Sequence, residues 1–194
     1  RADMALKSDV LDGAVIPLCA ALAAREHGDA RRALDLLRVA AELCERDRAP
    51  KVNEAHVRLA QNKIELDRIS EVVRTLPTQS KLVLLATIQG EEANKDQGIH
   101  TLTTGEVFDV YKELCKHTGS DVLTQRRITD LISELDMLGI FTARVISKGR
   151  YGRTREIQMS CPIDSTRRVL EEDELIRAVV NFKPRKGGGQ RSLV

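Results

Sequence analysis

A chain of 194 residues is long enough to bury a real core, in one large domain or two small ones. Aromatic residues make up 3% and Trp is absent, so Leu, Val, Ile and Ala must build that core, which favours helices over a β-sandwich. The net charge of +2 excludes no class of partner, but its distribution is uneven. No acidic residue occurs from Met137 to Arg155, whereas Arg144, Lys148, Arg150, Arg153 and Arg155 all fall there, and Lys183, Arg185, Lys186 and Arg191 follow near the end. Such clustering fits a polyanion. Cys19, Cys44, Cys115 and Cys161 lie far apart, with no C-x-x-C pair and no His at ligand spacing, so they read as core residues and no metal site is expected. No signal peptide and no bilayer-length apolar run is present, which gives an expected intracellular, reducing location without a membrane partner. The chain opens at Arg1 without an initiator Met, as a piece of a longer protein would.

In chain order, Val15, Leu18, Cys19 and Leu22 recur at helical spacing up to a stop at His27-Gly28, with Pro17 tolerated in the first turn. Asp29 is a fitting N-cap for a second helix with the expected buried stripe Ala33, Leu34, Leu37, Ala40, Ala41 and Cys44. It stops near Arg48-Ala49-Pro50, and Asn53 caps a third helix that closes on Ile69, Val72, Val73 and Leu76. These helices make a small antiparallel bundle, residues 1–76, with the boundary near Thr75 to Thr78. Residues 77–183 form a second domain. Ser80 to Glu92 reads as helix by its length, despite the strand-like run Leu82–Leu85. A polar loop is expected from Glu91 to Gly98, then a short strand from Ile99 to Leu102. Thr103-Thr104-Gly105-Glu106 is a capping box that opens a helix with the stripe Val107, Phe108, Tyr111, Leu114 and Cys115. Thr124 opens the next, burying Ile128, Leu131, Ile132, Leu135 and Leu138 up to Gly139. The period then drops to two. Ile140–Ser147 and Arg153–Cys161 read as strands around a glycine-rich loop, a last helix runs from about Ser165 to Val180, and residues 184–194 are a basic tail expected to be disordered.

Helix, short strand, helix, helix, strand, glycine-rich loop, strand is the order of a winged helix. The expected fold is therefore mainly α with a small β-hairpin wing. The helix from Thr124 should turn Gln125, Arg126, Thr129 and Ser133 outward, with Arg127 near the boundary. Arg can pair with guanine and Gln with adenine in a major groove. Thr124, at the positive end of the helix, can meet a phosphate. In the wing, Lys148, Gly149, Arg150, Tyr151, Gly152 and Arg153 combine glycines that allow close backbone approach with cations suited to the minor groove or its phosphates. The expected partner is duplex DNA.

The run Gly28-Asp29-Ala30-Arg31-Arg32-Ala33-Leu34, followed by Asp35-Leu36-Leu37-Arg38, resembles the sensor-2 motif in the lid of the AAA+ origin-recognition and replication-initiator proteins of archaea. The resemblance extends through Thr124-Gln125-Arg126-Arg127, Leu131-Ile132-Ser133-Glu134-Leu135 and the Gly149-to-Arg153 wing, covering nearly the whole chain. It implies a three-to-four-helix AAA+ lid followed by a winged-helix domain that binds origin DNA. It also implies that Arg31 is the sensor-2 arginine, approaching the γ-phosphate of ATP held on a neighbouring ATPase domain, with Arg32 as the alternative. Its implied partners are that upstream domain, other initiator subunits and the replicative helicase, in a chromosome-associated setting in the cytoplasm.

The sequence departs from a complete ATPase. It has no G-x-x-x-x-G-K-[ST] loop and no acidic Walker B strand, so ATP or ADP and Mg are expected only with the missing ATPase core. No catalytic constellation is found either. Glu113 and His117 lie one turn apart without a third group, and Glu171 and Glu174 read as a solvated helix face. Two other readings of a winged helix remain open on sequence alone: a transcription regulator that dimerises on palindromic sites, and a partner-binding scaffold.

Overall fold

A computed structural model describes residue 6 and residues 9–26, 28–95, 98, 100–147 and 153–184, without the side chains of Glu26 and Arg153. The chain is mainly helical and divides into two compact units, residues 1–68 and 69–194. The described elements are α1 (Val15–Glu26), α2 (Ala30–Arg46), α3 (Glu54–Thr75), α4 (Thr78–Asn94), β1 (Leu102–Thr103), α5 (Thr104–Thr118), α6 (Gln125–Met137), β2 (Phe141–Ser147), β3 (Arg153–Met159), α7 (Ile163–Leu170) and α8 (Glu174–Arg177).

In the first unit, Asp29 caps α2 as expected, its carboxylate accepting from the Arg31 amide at 2.8 Å. Asn53 and His56 cap α3 reciprocally: the His56 amide donates to Asn53 Oδ1 and the Asn53 amide to His56 Nδ1, each at 3.2 Å. This is a capping box with imidazole in place of the usual carboxylate. The core gathers Val15, Cys19 and Leu22 of α1, Leu36, Leu37, Val39, Ala40, Leu43 and Cys44 of α2, and Val57 and Ala60 of α3. The buried stripe of α2 differs from the expected one, because Leu34 is exposed while Leu36, Val39 and Leu43 are buried. Two overlapping stripes satisfy the helical period here. The one with more branched aliphatic carbon takes the core, since burial free energy scales with apolar area.

The second unit is built around α4. Leu82 through Glu91 are buried without a break, on all sides of the helix. The residues Ile69 and Val73 at the end of α3 join this core rather than that of the first unit. The sheet has the order β1-β3-β2, all antiparallel, with Leu102 opposite Ile157 and Phe141 opposite Met159. The helix α4 runs on through Asn94, where a loop from Glu91 was expected. Glu91 is held there because its Oε1 accepts from the Met159 amide at 2.6 Å, tying α4 to β3. Burial pushes the Glu91 carboxyl above its ordinary value, against the pull of the Met159 amide and of His100. The expected strand at Ile99–Leu102 is found as Leu102–Thr103, and Ile99 lies outside the described residues.

Leu138 was expected in the core but is 38% exposed, because α6 ends at Met137 and the chain reverses through Gly139 at φ 75°. The last expected helix is two, α7 and α8. Asp173 breaks it, with extended backbone and a carboxylate that accepts from the Leu175 and Ile176 amides. Residues 185–194 of the basic tail lie outside the described residues.

Two stability predictions follow from this core. Lys81 Nζ lies 2.8 Å from Asp173 Oδ2 in a largely enclosed pair. The Lys81 bond, with help from the Ile176 and Leu175 amides and against the cost of burial, holds the Asp173 carboxyl below its ordinary 3.8. A depressed folded-state value means the stabilisation is complete above the unfolded value and is lost as pH falls through the folded one. Asp173→Asn should therefore cost about 1–2 kcal/mol at pH 7 and flatten the decline in stability below about pH 4, read from urea titrations at several pH values. At Gly90, an added Cβ would lie 2.6 Å from Leu102 Cδ1, in a core where Leu102 is 2% exposed. Overpacking of about 1–3 kcal/mol outweighs a helix-propensity gain of about 1 kcal/mol. Gly90→Ala should thus lower the thermal midpoint, where an exposed helical Gly→Ala would raise it.

Candidate nucleic-acid interface

The interface elements are set by local capping and one buried phenol. Thr103 caps α5 with its hydroxyl 3.3 Å from the Glu106 amide, while the Glu106 carboxylate takes the Thr103 amide at 2.7 Å, completing the expected capping box. Gly119 then ends α5 at φ 67°. The turn into α6 is fixed by Tyr111, whose ring is fully buried. Its hydroxyl donates to Gln79 Oε1 at 2.5 Å and accepts from the Leu123 amide at 3.1 Å, and Gln79 Nε2 reaches the Asp121 carbonyl at 3.2 Å. Burial pushes the Tyr111 phenol up to about 12, so it stays a donor at neutral pH. Four residues from α4, α5 and the turn thereby fix where α6 begins.

Thr124 caps α6, its hydroxyl accepting from the Arg127 amide at 3.3 Å. Ile128, Leu131, Ile132 and Leu135 face the core, as expected from their spacing. Gln125, Arg126 and Arg127 are exposed, and Thr129 and Ser133 are half-buried. Their hydrogen bonding separates them. Thr129 donates to the Gln125 carbonyl at 3.0 Å and Ser133 to the Thr129 carbonyl at 2.9 Å, so both hydroxyls bond back along the helix. Arg127 reaches two turns along to Glu134 at 3.2 Å. Among the described residues the side chains of Gln125 and Arg126 have no hydrogen-bond or ion-pair partner.

The hairpin register carries the wing. Directly opposed residues share a face, so Phe141 with Met159, Ala143 with Ile157, and Val145 with Arg155 form one row. The row grades outward: Phe141 is 2% exposed and Val145 is 63% exposed, as the hairpin projects past the helices. Ser147 opposite Arg153 closes the described ladder. Lys148, Gly149, Arg150, Tyr151 and Gly152 lie outside the described residues, and Arg153 is described as backbone alone.

The start of α6, the start of α5 and the root of the hairpin enclose an open cleft of about 520 Å3, lined by Gly105, Gln125, Arg126, Thr129, Val145 and Arg155 among others. Among the described residues no carboxylate lines it. The structure thus brings Gln125, Arg126 and Thr129 together with the wing strands. Sequence reasoning had not singled out Thr104, Gly105, Val145 or Thr154 in this cleft, and had counted Arg155 only as part of a basic run. The signal for Arg155 was its parity with Ile157, which is buried on the same face. In the first unit, Arg31 is exposed in the first turn of α2. Among the described residues no group of three or more His, Cys, Asp and Glu side chains could hold a metal ion.

Comparison with known proteins agrees with this architecture. The family model for the Cdc6 AAA+ ATPase-type lid domain matches residues 1–62, and that for the CDC6 C-terminal winged helix domain matches residues 71–169. The ORC1-type DNA replication protein 7 of Halobacterium salinarum is 61% identical over 95% of this chain, which spans 35% of that protein. The ORC1-type DNA replication protein of Pyrococcus abyssi is 53% identical over the whole chain, here 45% of the relative's length. Among solved structures, that of the Aeropyrum pernix ORC1 protein in complex with DNA superposes with a TM-score of 0.77 at 51% identity, covering 88% of this chain and 44% of the other. The chain spans less than half the length of each of these relatives. With one unit matching the lid and the other the winged helix, the chain belongs to the Cdc6 family of AAA+ proteins, of which it carries the lid and the C-terminal winged-helix domain.

Proposed function

We propose that this chain is the origin-binding part of an archaeal replication initiator, gripping duplex DNA with α6 in the major groove and the wing in the adjacent minor groove. The observation that carries the reading is the pairing of Gln125 and Arg126, two donors without a side-chain partner among the described residues, at the exposed start of α6, with a cleft against the hairpin whose described lining holds no carboxylate. Those two side chains read base edges, Arg126 at a guanine and Gln125 at an adenine. Thr124, Arg127, Thr129 and Ser133 hold register on the backbone. Lys148, Arg150 and Arg153 neutralise phosphates or enter the minor groove, with Gly149 and Gly152 on either side of Arg150 and Tyr151 allowing close approach. Two further facts support this. The likeness to a solved relative in complex with DNA extends over 88% of the chain, and the relatives at 53–61% identity are named as DNA replication proteins.

In the same reading, Arg31 serves ATP bound on an ATPase domain upstream in the full-length protein. Its place in the first turn of α2 suits an anion, because the helix dipole and the guanidinium act together. No phosphate-cradling loop lies in these 194 residues, so the chain itself is no ATPase. The other initiator subunits and the replicative helicase are partners of that full protein, at the chromosome.

The test is fluorescence anisotropy on duplexes carrying archaeal origin repeats and on scrambled duplexes, across a salt series. Binding should weaken with a log–log slope of about −0.9 per phosphate neutralised. Arg150→Ala should weaken binding to every duplex and make that slope shallower by about 0.9. Arg126→Ala should instead cost about 1–3 kcal/mol at one base pair and little elsewhere. Equal losses on every sequence would remove Arg126 from base reading, and no binding to any duplex would overturn the proposal.

A further inference from the structure

Arg155 sits in the most basic stretch of the chain, yet its side chain turns inward. It lies on β3 opposite Val145, on the row of the hairpin that faces α6. Its Nη1 donates to Ser133 Oγ and, at 3.4 Å, to the Thr129 carbonyl. The same Ser133 hydroxyl donates to that carbonyl, so three groups close a small network on the face of α6. Both acceptors are uncharged, a hydroxyl and a backbone carbonyl, at the edge of the cleft. A second polar tie joins the far end of the helix to the other strand, where Asp136 Oδ1 accepts from the Ala143 amide at 3.2 Å.

Resting on the DNA reading above, we infer that Arg155 is a positioning residue: it fixes the wing to the reading helix through Ser133, and so sets the angle at which the two enter their grooves. Two ties on one helix, one at Thr129 and Ser133 in its middle and one at Asp136 in its last turn, limit the hairpin's freedom to rock about it. The tie at Asp136 lies where the hairpin is anchored by buried Phe141 and Ile157. Beyond Ile157 the row has only Val145, which is mostly exposed, so apolar packing no longer holds the strands there. Arg155 takes over at that point, two ladder pairs before Ser147 and Arg153, the last of the described register. A guanidinium suits the task, since the two N–H groups of its Nη1 address two acceptors on one helix and it cannot be deprotonated. Ser133 thereby acts as a strut as well as lying near the groove. Small errors in wing angle displace Gln125 and Arg126 from base edges while leaving phosphate contacts, which tolerate displacement, largely intact.

The experiment compares Ser133→Ala, Arg155→Lys and Arg155→Gln with the parent chain. One readout is amide hydrogen exchange of the free chain. The other is the ratio of affinities for a duplex selected by the parent from a random pool and for its scrambled counterpart, across a salt series. Ser133→Ala removes the nearer of the two acceptors and keeps the charge. It is expected to speed exchange in β2 and β3 and to lower the ratio several-fold, about tenfold at most, with the salt slope unchanged. Arg155→Lys should do the same, because the shorter, flexible stem does not hold its ammonium at the place of Nη1. A merely structural role would lower the thermal midpoint and leave the ratio alone. The inference is overturned if the parent discriminates between duplexes and Ser133→Ala discriminates equally well. It is also overturned if Arg155→Gln makes the slope shallower by about 0.9 while Ser133→Ala is silent, since Arg155 would then be a direct phosphate ligand. A parent chain that binds no duplex overturns the DNA reading itself, and unchanged exchange in all three variants overturns the tie regardless of DNA.

Discussion

The second unit depends on one demand: α4 is buried on every side from Leu82 to Glu91 and must be covered on every side. A helix that is apolar all round cannot lie on a surface. The helices α5 and α6, the sheet and the C-terminal segment are its cover, joined in one continuous core from Ile69 to Val180. The polar groups on α4 are turned to the same purpose. Gln89 Nε2 donates to the Val179 and Val180 carbonyls at 3.0 and 3.3 Å, and Glu91 takes the Met159 amide. Arg167 bonds both the Val180 carbonyl and Glu92. Buried polar atoms therefore specify which strand and which terminal segment lie against α4, where apolar packing alone would accept several arrangements.

This dependence explains which parts of the fold the sequence discloses. The stripes of α5 and α6 are legible because each helix has one wet face, so the period of the buried residues is clean. The hairpin is legible for the same reason at period two. The run from Leu82 to Leu85 gives no period at all, and only its length separates it from a strand. Where two apolar periods overlap, as in α2, the sequence allows both, and tertiary packing selects Leu36, Val39 and Leu43 over Leu34. The break at Asp173 was hidden by acidic residues that look like a solvated helix face. In the structure Glu172 pairs with Arg74 at 2.8 Å and Asp173 with Lys81, so their role is tertiary and the local pattern carries no trace of it.

Charge is handled by the same division between local and long-range partners. Arg74, Lys81 and Arg167 each meet a carboxylate from a distant part of the second unit. Arg38, Arg68 and Lys112 meet one within a turn of their own helix. Such exposed pairs add little stability individually. Their effect is to leave the unbalanced positive charge concentrated in the acid-free stretch of the hairpin, so that a net charge of +2 conceals a strongly basic edge.

The helix α6, to which the proposed function gives the reading of bases, shows how few side chains remain once the scaffold has taken its share. Thr124 is bound to the Arg127 amide, Thr129 to the Gln125 carbonyl, Ser133 to both Thr129 and Arg155, and Arg127 to Glu134. Sequence reasoning could place all of these on one outward face, but not say which were already engaged. That depends on β3 lying across α6, a contact between residues 22 and 26 positions apart. Gln125 and Arg126 are left at the exposed end, without a side-chain partner among the described residues, and their aim is governed by residues elsewhere: Tyr111 and Gln79 at the turn before α6, and Arg155 and Asp136 along it. On the proposed DNA reading, specificity is on that account a property of the ties that orient α6 as much as of the two side chains that reach from it.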